Sequence, residues 1–344
     1  MEICKNDSFI STGKVALNTT FLEYYRTTYC FMVYIKTHGD SIMYQEIDFF
    51  QFQKRFMTEN RCINYLLAKR WKDGFVCPKC KHTESYFIQS RCLNQCKLCD
   101  HQVSVTAGTI FHKTRTPLRK WFWMIYFITQ SKHSYSVSGL QRLLKIKSYN
   151  TVWRMAQKVR KAMADRDAKY KLAGIVEMDD SYFGKFRAPG KRGRGADKKS
   201  KVIVSVQLTD DGNPVFAAMN VVPHVDGDNV KKTANDNIKK GSTIKSDGWP
   251  AYNAVKEQGF VHRKIVIGDP KKASKLLPWV HTLIANCKGI LRGTHHGVSA
   301  KHLHFYLAEF CYRLNRRFDQ LKLFDRSITA CLSTGTITFS ELMK

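Results

Sequence analysis

Hydrophobic and polar residues follow a helical period in the first half of the chain. Apolar positions after Met43 indicate a short helical lead-in, and three further helices are predicted between 117 and 165. The first of the three, 118–130, is apolar almost all round, which is typical of a buried helix. The second covers 136–144, and a short turn leads to the third, from about 150.

From residue 174 onward the pattern changes to that of β-strands. Apolar runs alternate with turns, and DDGNP is a strong turn signal between two of them. A polar helical stretch at 227–240 precedes the last strand, and helical patterns return at 279–292 and 300–318. This order of elements predicts an α/β domain with a mixed sheet. The four strand-like runs are GIVEMD, KVIVSVQL, PVFAAMNVV and STIKSD.

The charge of the chain points to a polyanionic partner. Lys and Arg number 57 against 28 Asp and Glu, a net charge of +29 that is spread over several segments. Because each neutralised phosphate releases counterions, nucleic acid fits better than a merely soluble basic protein. A hydrophobic content of 43% excludes a disordered chain. Without a long apolar run, we expect neither a signal peptide nor a membrane partner, and a cytoplasmic location.

Four of the eleven cysteines stand in metal-binding spacing. Cys77, Cys80, Cys96 and Cys99 form CxxC-x15-CxxC, and two such pairs complete a tetrahedral site with no open position. We therefore predict a structural Zn²⁺ in a zinc ribbon, in preference to a redox CxxC. The other cysteines are scattered, which fits spare thiols in a reducing compartment.

The second and third predicted helices have the form of a helix-turn-helix. The second of the pair can lie in a major groove with Tyr149 and Asn150 at base edges. The alternative is an ordinary helical hairpin with a solvated basic face; the adjacent zinc ribbon and the charge favour DNA. The pattern places four basic residues on exposed turns of this helix: Arg154, Lys158, Arg160 and Lys161.

Carboxylates interrupt two of the predicted strands. Alternation places Glu177 and Asp179 on one face of the first strand and Asp180 on the other, while Asp247 ends the fourth strand. If these strands are neighbours, Asp179 and Asp247 can share a divalent metal suited to phosphoryl transfer. The alternatives are a turn-capping Asp247 and a surface Asp179.

Several longer segments of the chain form a pattern together: GFVCPKC, QCKLCDHQVSVTAGTIFHKTRTPLRKWFW, VEMDDSYFGK, KRGRG, SDGWPAY and LRGTHHGVSAKHLHFYLAEFCYRLNRR. Through these segments the chain resembles the ISXO-type insertion-sequence transposases of bacteria over roughly 43–320. That resemblance implies an RNase H-like α/β catalytic domain, a mixed sheet flanked by helices, after an N-terminal zinc ribbon and the helix-turn-helix that the helical pattern predicts. It also implies Mg²⁺- or Mn²⁺-dependent cutting and joining of double-stranded DNA at terminal inverted repeats, at the bacterial nucleoid, with Asp179 and Asp247 as catalytic residues.

The third catalytic position departs from the usual glutamate. By resemblance we favour Asn286 with Lys288, and His281 stays open. Helix geometry favours His281, because it lies about 20° in azimuth from Lys288, whereas Asn286 lies about 200° away. Glu309 is a further candidate, although pairing with Arg313 one turn on explains it equally well.

Further basic residues are candidate DNA contacts, and joining two DNA ends implies at least a homodimer. The alternatives to an active transposase are a non-catalytic zinc-ribbon DNA-binding protein or inactive remnant, and a structure-specific repair nuclease. The further contacts are Lys191, Arg192 and Arg194 in a basic insertion, and Arg313, Arg316 and Arg317 on a late helix. The predicted organisation is an extension at 1–42 before an alternative start, a helical lead-in at 43–70, the ribbon at 71–116, the helix-turn-helix region at 117–168, the catalytic domain at 172–325 and a tail at 326–344.

Overall fold

Two short capped helices open the part of the chain that the computed structural model describes, namely residues 45–184, 199–265 and 276–343. Helix α1 covers Phe49–Arg55 and α2 covers Glu59–Arg70. The Asp48 carboxylate accepts a hydrogen bond from the backbone N–H of Gln51 at 2.8 Å, so α1 begins where the sequence offers a capping residue. These helices agree with the predicted lead-in. The predicted extension at 1–42 lies outside the described residues.

A small antiparallel sheet follows the lead-in. Strands β1 (Ser85–Ile88), β2 (Leu93–Cys96) and β3 (Gln102–Ser104) pair in sequence order. Its own small core contains Phe75 and Val103 beside two of the cysteines. The segment predicted to form the zinc ribbon therefore contains a small sheet with its own core.

Three helices come next, in the order that the apolar pattern predicts. They are α3 (Leu118–Gln130), α4 (Val137–Leu144) and α5 (Tyr149–Asp167). The Ser136 and Ser148 hydroxyls cap α4 and α5 by accepting backbone N–H groups at 3.0 and 3.3 Å. Lys145 adopts the left-handed conformation that ends α4 and turns the chain into α5.

The second half of the chain builds a five-stranded mixed sheet. The strands are β4 (Ile175–Phe183), β5 (Ser200–Leu208), β6 (Pro214–Val222), β7 (Thr243–Ser246) and β8 (Val261–Lys264). Their spatial order is β6-β5-β4-β7-β8, with β5 antiparallel to β4 and β6, and β7 parallel to β4 and β8. This sheet and its flanking helices confirm the predicted RNase H-like α/β architecture.

Helices cover both faces of the sheet. Helix α6 (Gly227–Asn237) and a 3₁₀ segment (Pro250–Gln258) pack on one face, where Met178 and Ile244 point. Helices α7 (Pro278–His295) and α8 (Leu303–Leu314) pack on the other, against Val202, Val204 and Val206. Alternation along β4 therefore sends its even-numbered side chains to α6 and its odd-numbered ones to α7.

The C-terminal segment returns to the N-terminal helices. Helices α9 (Gln320–Ser333) and α10 (Phe339–Leu342) place Phe324, Ile328 and Leu342 in the apolar core that contains Phe122. The Asp325 carboxylate accepts a hydrogen bond from the Lys69 ammonium at 2.6 Å. The predicted tail at 326–344 is thus corrected, because residues 326–343 complete the core of the helical region rather than extending from the catalytic domain.

Candidate active site and metal centre

Two matching turns hold the four cysteines of the ribbon. In each turn the N–H of the first cysteine donates to the carbonyl five residues on, from Cys77 to His82 at 2.8 Å and from Cys96 to His101 at 3.0 Å. The residue after each second cysteine, Lys81 or Asp100, has a positive φ that closes the turn. Repetition of this geometry presents two thiols from each turn on the same side.

The thiols fit a tetrahedral Zn²⁺. The Sγ atoms of Cys77 and Cys99 lie 3.7 Å apart, those of Cys80 and Cys96 3.5 Å apart, and all four fall within 4.8 Å of one another. A tetrahedron with Zn–S bonds of about 2.3 Å has S···S edges of about 3.8 Å. All four ligands are protein thiols, so the centre is structural, as the spacing predicted.

The register of β4 and β7 brings the two aspartates together. Met178 and Ser246 are paired Cα positions on these parallel strands, and Asp179 and Asp247 each follow immediately. Neighbouring strands lie about 4.8 Å apart, so the backbone positions of the two aspartates are adjacent across the pair. The charge of Asp247 reaches His281, whose Nε2 also lies 3.7 Å from Asp179 Oδ2. The Asp179 Oδ1 accepts the N–H of Asp180 at 2.8 Å, and the Asp247 Oδ1 accepts that of Trp249 at 3.1 Å.

Helix α7 crosses β4 and meets three of its side chains in turn. At the start of the helix, Glu177 Oε2 accepts the backbone N–H groups of Trp279 and Val280. Next, His281 Nε2 lies 3.7 Å from Asp179 Oδ2. Two turns further on, the Lys288 ammonium donates to the Ser181 hydroxyl at 2.7 Å. The structure thus gathers His281, Lys288 and the aspartates on one face.

Burial sets the protonation of the groups that α7 contributes. It lowers the pKa of His281, while the Asp247 charge counteracts part of that effect. It also lowers the pKa of Lys288, with a further lowering by Lys199, whereas Asp179 raises it. The charge of Asp247 thus acts on His281, and the charge of Asp179 acts on Lys288. A neutral His281 near pH 7 can offer a lone pair to a metal.

Asn286 lies elsewhere on the same helix. Its side chain is exposed, and it stands about 140° in azimuth from His281, the residue that approaches Asp179. Glu309 is buried and bonded to arginines, in agreement with the pairing alternative. Of the three candidates for the third position, the structure brings His281 to the carboxylates.

Comparison with known proteins places these two centres in a family. Residues 171–315 match the model of the ISXO2-like transposase domain, and residues 57–102 match that of the transposase zinc-ribbon domain. The chain therefore contains an ISXO2-like transposase domain preceded by a transposase zinc-ribbon domain. The first match contains both aspartates and His281, and the second contains all four ribbon cysteines.

A relative and several solved structures show similarity to the chain. An uncharacterized protein in transposable element ISH50 of Halobacterium salinarum is 29% identical over 283 residues, which are 76% of this chain and 92% of the relative. The catalytic core domain of BIV integrase overlays at a TM-score of 0.26 and 13% identity, covering 40% of this chain and 81% of its own. The Mos1 transposase paired-end complex with left transposon end overlays at a TM-score of 0.20 and 11% identity, covering 59% of this chain and 78% of its own.

The predicted base-reading end of the helix-turn-helix lies at the surface of the protein. Tyr149 is 47% exposed, and Asn150 and Arg154 are exposed beside it. The Arg154 guanidinium lies 4.8 Å from the ring centre of Phe339, and Lys158 is half-buried with its ammonium 3.4 Å from a backbone carbonyl. DNA contact by these four residues stays a prediction. Lys191, Arg192 and Arg194 lie outside the described residues.

The late-helix arginines are bonded to other groups of the protein itself. Arg313 is buried, donates to a backbone carbonyl and lies 3.4 Å from Glu309. Arg316 is also buried and pairs with Asp167 at 2.6 Å. Arg317 donates to two carbonyls of the edge strand β6. We predicted phosphate contacts for these arginines, but the occupied guanidinium groups give them a structural role.

Arg160 is a further correction, because the sequence pattern placed it on an exposed turn. It is fully buried, its Nε donates to Glu309 Oε2 at 2.6 Å, and its guanidinium lies 4.0 Å from the ring centre of Tyr306. This pair joins α5 to α8 in the interior. Sequence reasoning missed it, as it missed the capping contact of Glu177. No helix of the described residues is long and apolar enough to cross a membrane.

Proposed function

We propose that this protein is an active insertion-sequence transposase that cuts and joins DNA at the ends of its element. The observation that carries the proposal is the placement of Asp179 and Asp247 one position after a paired Met178 and Ser246, with His281 Nε2 3.7 Å from Asp179 Oδ2. Adjacent carboxylates on one face of a mixed sheet suit a divalent cation that acts on phosphate.

The donor set fits Mg²⁺ or Mn²⁺. Two carboxylates supply hard oxygen ligands, and the His281 imidazole adds a neutral nitrogen. When bound, such a cation activates the attacking water or 3′-hydroxyl and stabilises the leaving oxygen. Because the third group carries no negative charge, we expect weaker Mg²⁺ binding than in a three-carboxylate site and better support of activity by Mn²⁺.

Lys288 and Ser181 complete the proposed site on its far side. The Lys288 ammonium is anchored on Ser181 at 2.7 Å, next to Asp179 on the same strand face. A fixed positive charge there is suited to orient a DNA phosphate over the carboxylates. Its lowered pKa follows from burial, and the anionic neighbourhood of Asp179 favours the charged form that this role requires.

DNA recognition is assigned to the N-terminal end of α5 and to the basic insertion. Tyr149, Asn150 and Arg154 are exposed at the start of a capped helix, the end that enters a major groove in helix-turn-helix proteins. The net charge of +29 supplies affinity for phosphates, with Lys158 and the insertion residues as contributors. Acting on two ends requires at least a homodimer in the DNA complex.

Strand cleavage of the element's own ends, in Mg²⁺ and in Mn²⁺, tests the proposal. Asp179→Asn and Asp247→Asn should each abolish cleavage while leaving DNA binding intact. Asp180→Asn is the matched control, because this neighbouring carboxylate points to the opposite face of β4. His281→Ala should reduce cleavage far more than Asn286→Ala does.

Each other outcome has a definite meaning. Cleavage at the wild-type level by the Asp179 and Asp247 variants would refute the catalytic assignment. End-specific binding without cleavage in either metal would favour a non-catalytic DNA-binding protein. Cleavage without preference for the element's ends would favour a nuclease. A larger loss for Asn286→Ala than for His281→Ala would restore Asn286 as the third catalytic residue.

A further inference from the structure

Helix α7 has no capping residue of its own. The residue before its first turn is Leu277, which offers no side-chain acceptor, and the helix begins with Pro278. The backbone N–H groups of Trp279 and Val280, in the first turn, therefore need acceptors from outside the helix. Both donate to one atom, Glu177 Oε2, at 3.0 and 2.9 Å.

The acceptor comes from the strand that carries the catalytic aspartate. Glu177 lies two positions before Asp179 on β4, points to the same face and is only 3% exposed. Immediately after the capped turn comes His281, whose Nε2 lies 3.7 Å from Asp179 Oδ2. One carboxylate thus fixes where α7 starts relative to the strand, and the next residue of the helix is the one that reaches the site.

We propose that Glu177 is a positioning residue, which caps α7 from β4 and thereby holds His281 in reach of Asp179. The positive end of the helix dipole favours a carboxylate at this point. A displacement of about 1.5 Å along the helix axis corresponds to one residue of register, which is enough to remove His281 from the aspartate. The effect on activity rests on the proposed function; the effect on helix placement does not.

Three substitutions distinguish loss of the capping acceptor from a change in the size of the side chain. Glu177→Met keeps the length of the side chain and removes the acceptor, Glu177→Gln keeps an acceptor oxygen, and Glu177→Asp shortens the reach. Asp226→Ala is the matched control, since the Asp226 carboxylate caps α6 at 2.9 Å on the opposite face of the sheet. Hydrogen–deuterium exchange of peptides from α7 then reports on the helix without any need for activity.

We expect Glu177→Met to speed exchange in the first turns of α7 by about tenfold or more, since each amide loses its acceptor. Glu177→Gln should restore protection, Glu177→Asp should fall between, and Asp226→Ala should affect α6 alone. Unchanged hydrogen exchange of α7 in Glu177→Met would refute the capping role of Glu177. Should Glu177→Met fail to fold, the comparison of Glu177→Asp with Glu177→Gln decides the same question.

A double-mutant cycle with His281 tests the positioning role in catalysis. His281→Ala should lower the cleavage rate strongly in the wild-type background and by less than about threefold in Glu177→Met, because the histidine is already displaced. Glu177→Met should also raise the Mn²⁺ concentration for half-maximal cleavage, whereas Asp226→Ala should not. Equal losses from His281→Ala in both backgrounds would refute the positioning role. A wild-type protein inactive in every metal refutes the proposed function instead, and the exchange results still stand.

Discussion

Removing one partner of the buried pair Arg160–Glu309 should cost more stability than breaking an ion pair on the surface. Arg160 is fully buried and Glu309 is 2% exposed, with 2.6 Å between Nε and Oε2. Arg313 adds a second guanidinium 3.4 Å from the other carboxylate oxygen. Glu309→Gln removes the one negative charge among these groups and leaves two buried cations facing a neutral amide.

Two estimates give similar magnitudes for this loss. Burial raises the pKa of Glu309, but Arg160 and Arg313 outweigh it and lower the pKa from 4.5 to about 2. That shift corresponds to about 3 kcal/mol in favour of the ionised form in the folded protein. Removing one member of a buried pair costs about 3–5 kcal/mol. We therefore expect Glu309→Gln to lower the free energy of unfolding by about 3–5 kcal/mol.

Arg160→Met should cost less than Glu309→Gln, because Glu309 keeps Arg313 as a partner. Urea-induced unfolding followed by tryptophan fluorescence measures both changes in the free energy of unfolding. Glu84→Gln is the control, since its pair with Lys97 in the ribbon is exposed and should give no measurable change. A cost below about 1 kcal/mol for Glu309→Gln, or an equal or larger cost for Arg160→Met, would refute the reasoning.

Three further outcomes follow from the structure. Chelation of zinc, or Cys96→Ser, should unfold the ribbon and abolish DNA binding while the circular dichroism of the α/β domain persists; retained binding would contradict it. Burial lowers the pKa of His295 from 6.5 to about 4. Between these pH values the folded protein binds fewer protons than the unfolded chain, so up to about 3 kcal/mol of stability is lost as the pH falls from 6.5 through 4. His295→Phe should flatten this slope in urea titrations at pH 7 and 5, and an unchanged slope would exclude His295 as its source. Truncation after Asp319 should destabilise the helices around Phe122, seen as faster hydrogen exchange there, and unchanged protection would show that α9 is dispensable.

Local patterns in the sequence predicted the elements and one metal centre. The spacing of Cys77, Cys80, Cys96 and Cys99 is short-range information, and the ribbon follows from it directly. The alternation along β4 also predicted the face shared by Glu177 and Asp179. These features depend on neighbours within a few residues, so the chain reveals them without its fold.

The features that the sequence did not reveal depend on partners far away in the chain. Arg160 and Glu309 stand 149 positions apart, as do Arg316 and Asp167, so nothing near either arginine marks it as buried. A basic residue on a helix is ordinarily solvated, which is why both were placed at the surface. The C-terminal helices raise the same difficulty, because their apolar face matches a core that is assembled from residues far earlier in the chain.

The proposed third catalytic position depends on both short-range and long-range information. Helical azimuth relates His281 to Lys288 within one element, and the structure indeed turns both toward β4. Helical azimuth does not determine the register of α7 along the strand. That register depends on Glu177, which caps the helix from β4. Resemblance favoured Asn286 because a motif records residue types, whereas the distance to Asp179 is decided by where the helix begins.

The buried pair also connects the proposed DNA-recognition residues with the proposed cleavage site. Arg160 lies eleven residues beyond Tyr149 on α5, so the exposed end of this helix stands about 17 Å along its axis from the bond to Glu309. Glu309 belongs to α8, which packs on the sheet beside α7. A continuous helix and a buried bond therefore connect the proposed base-reading residues to the layer that contains His281. Because a regular helix resists bending, DNA held at Tyr149 should keep a fixed distance from the carboxylates, and the position of the cut should follow from that distance.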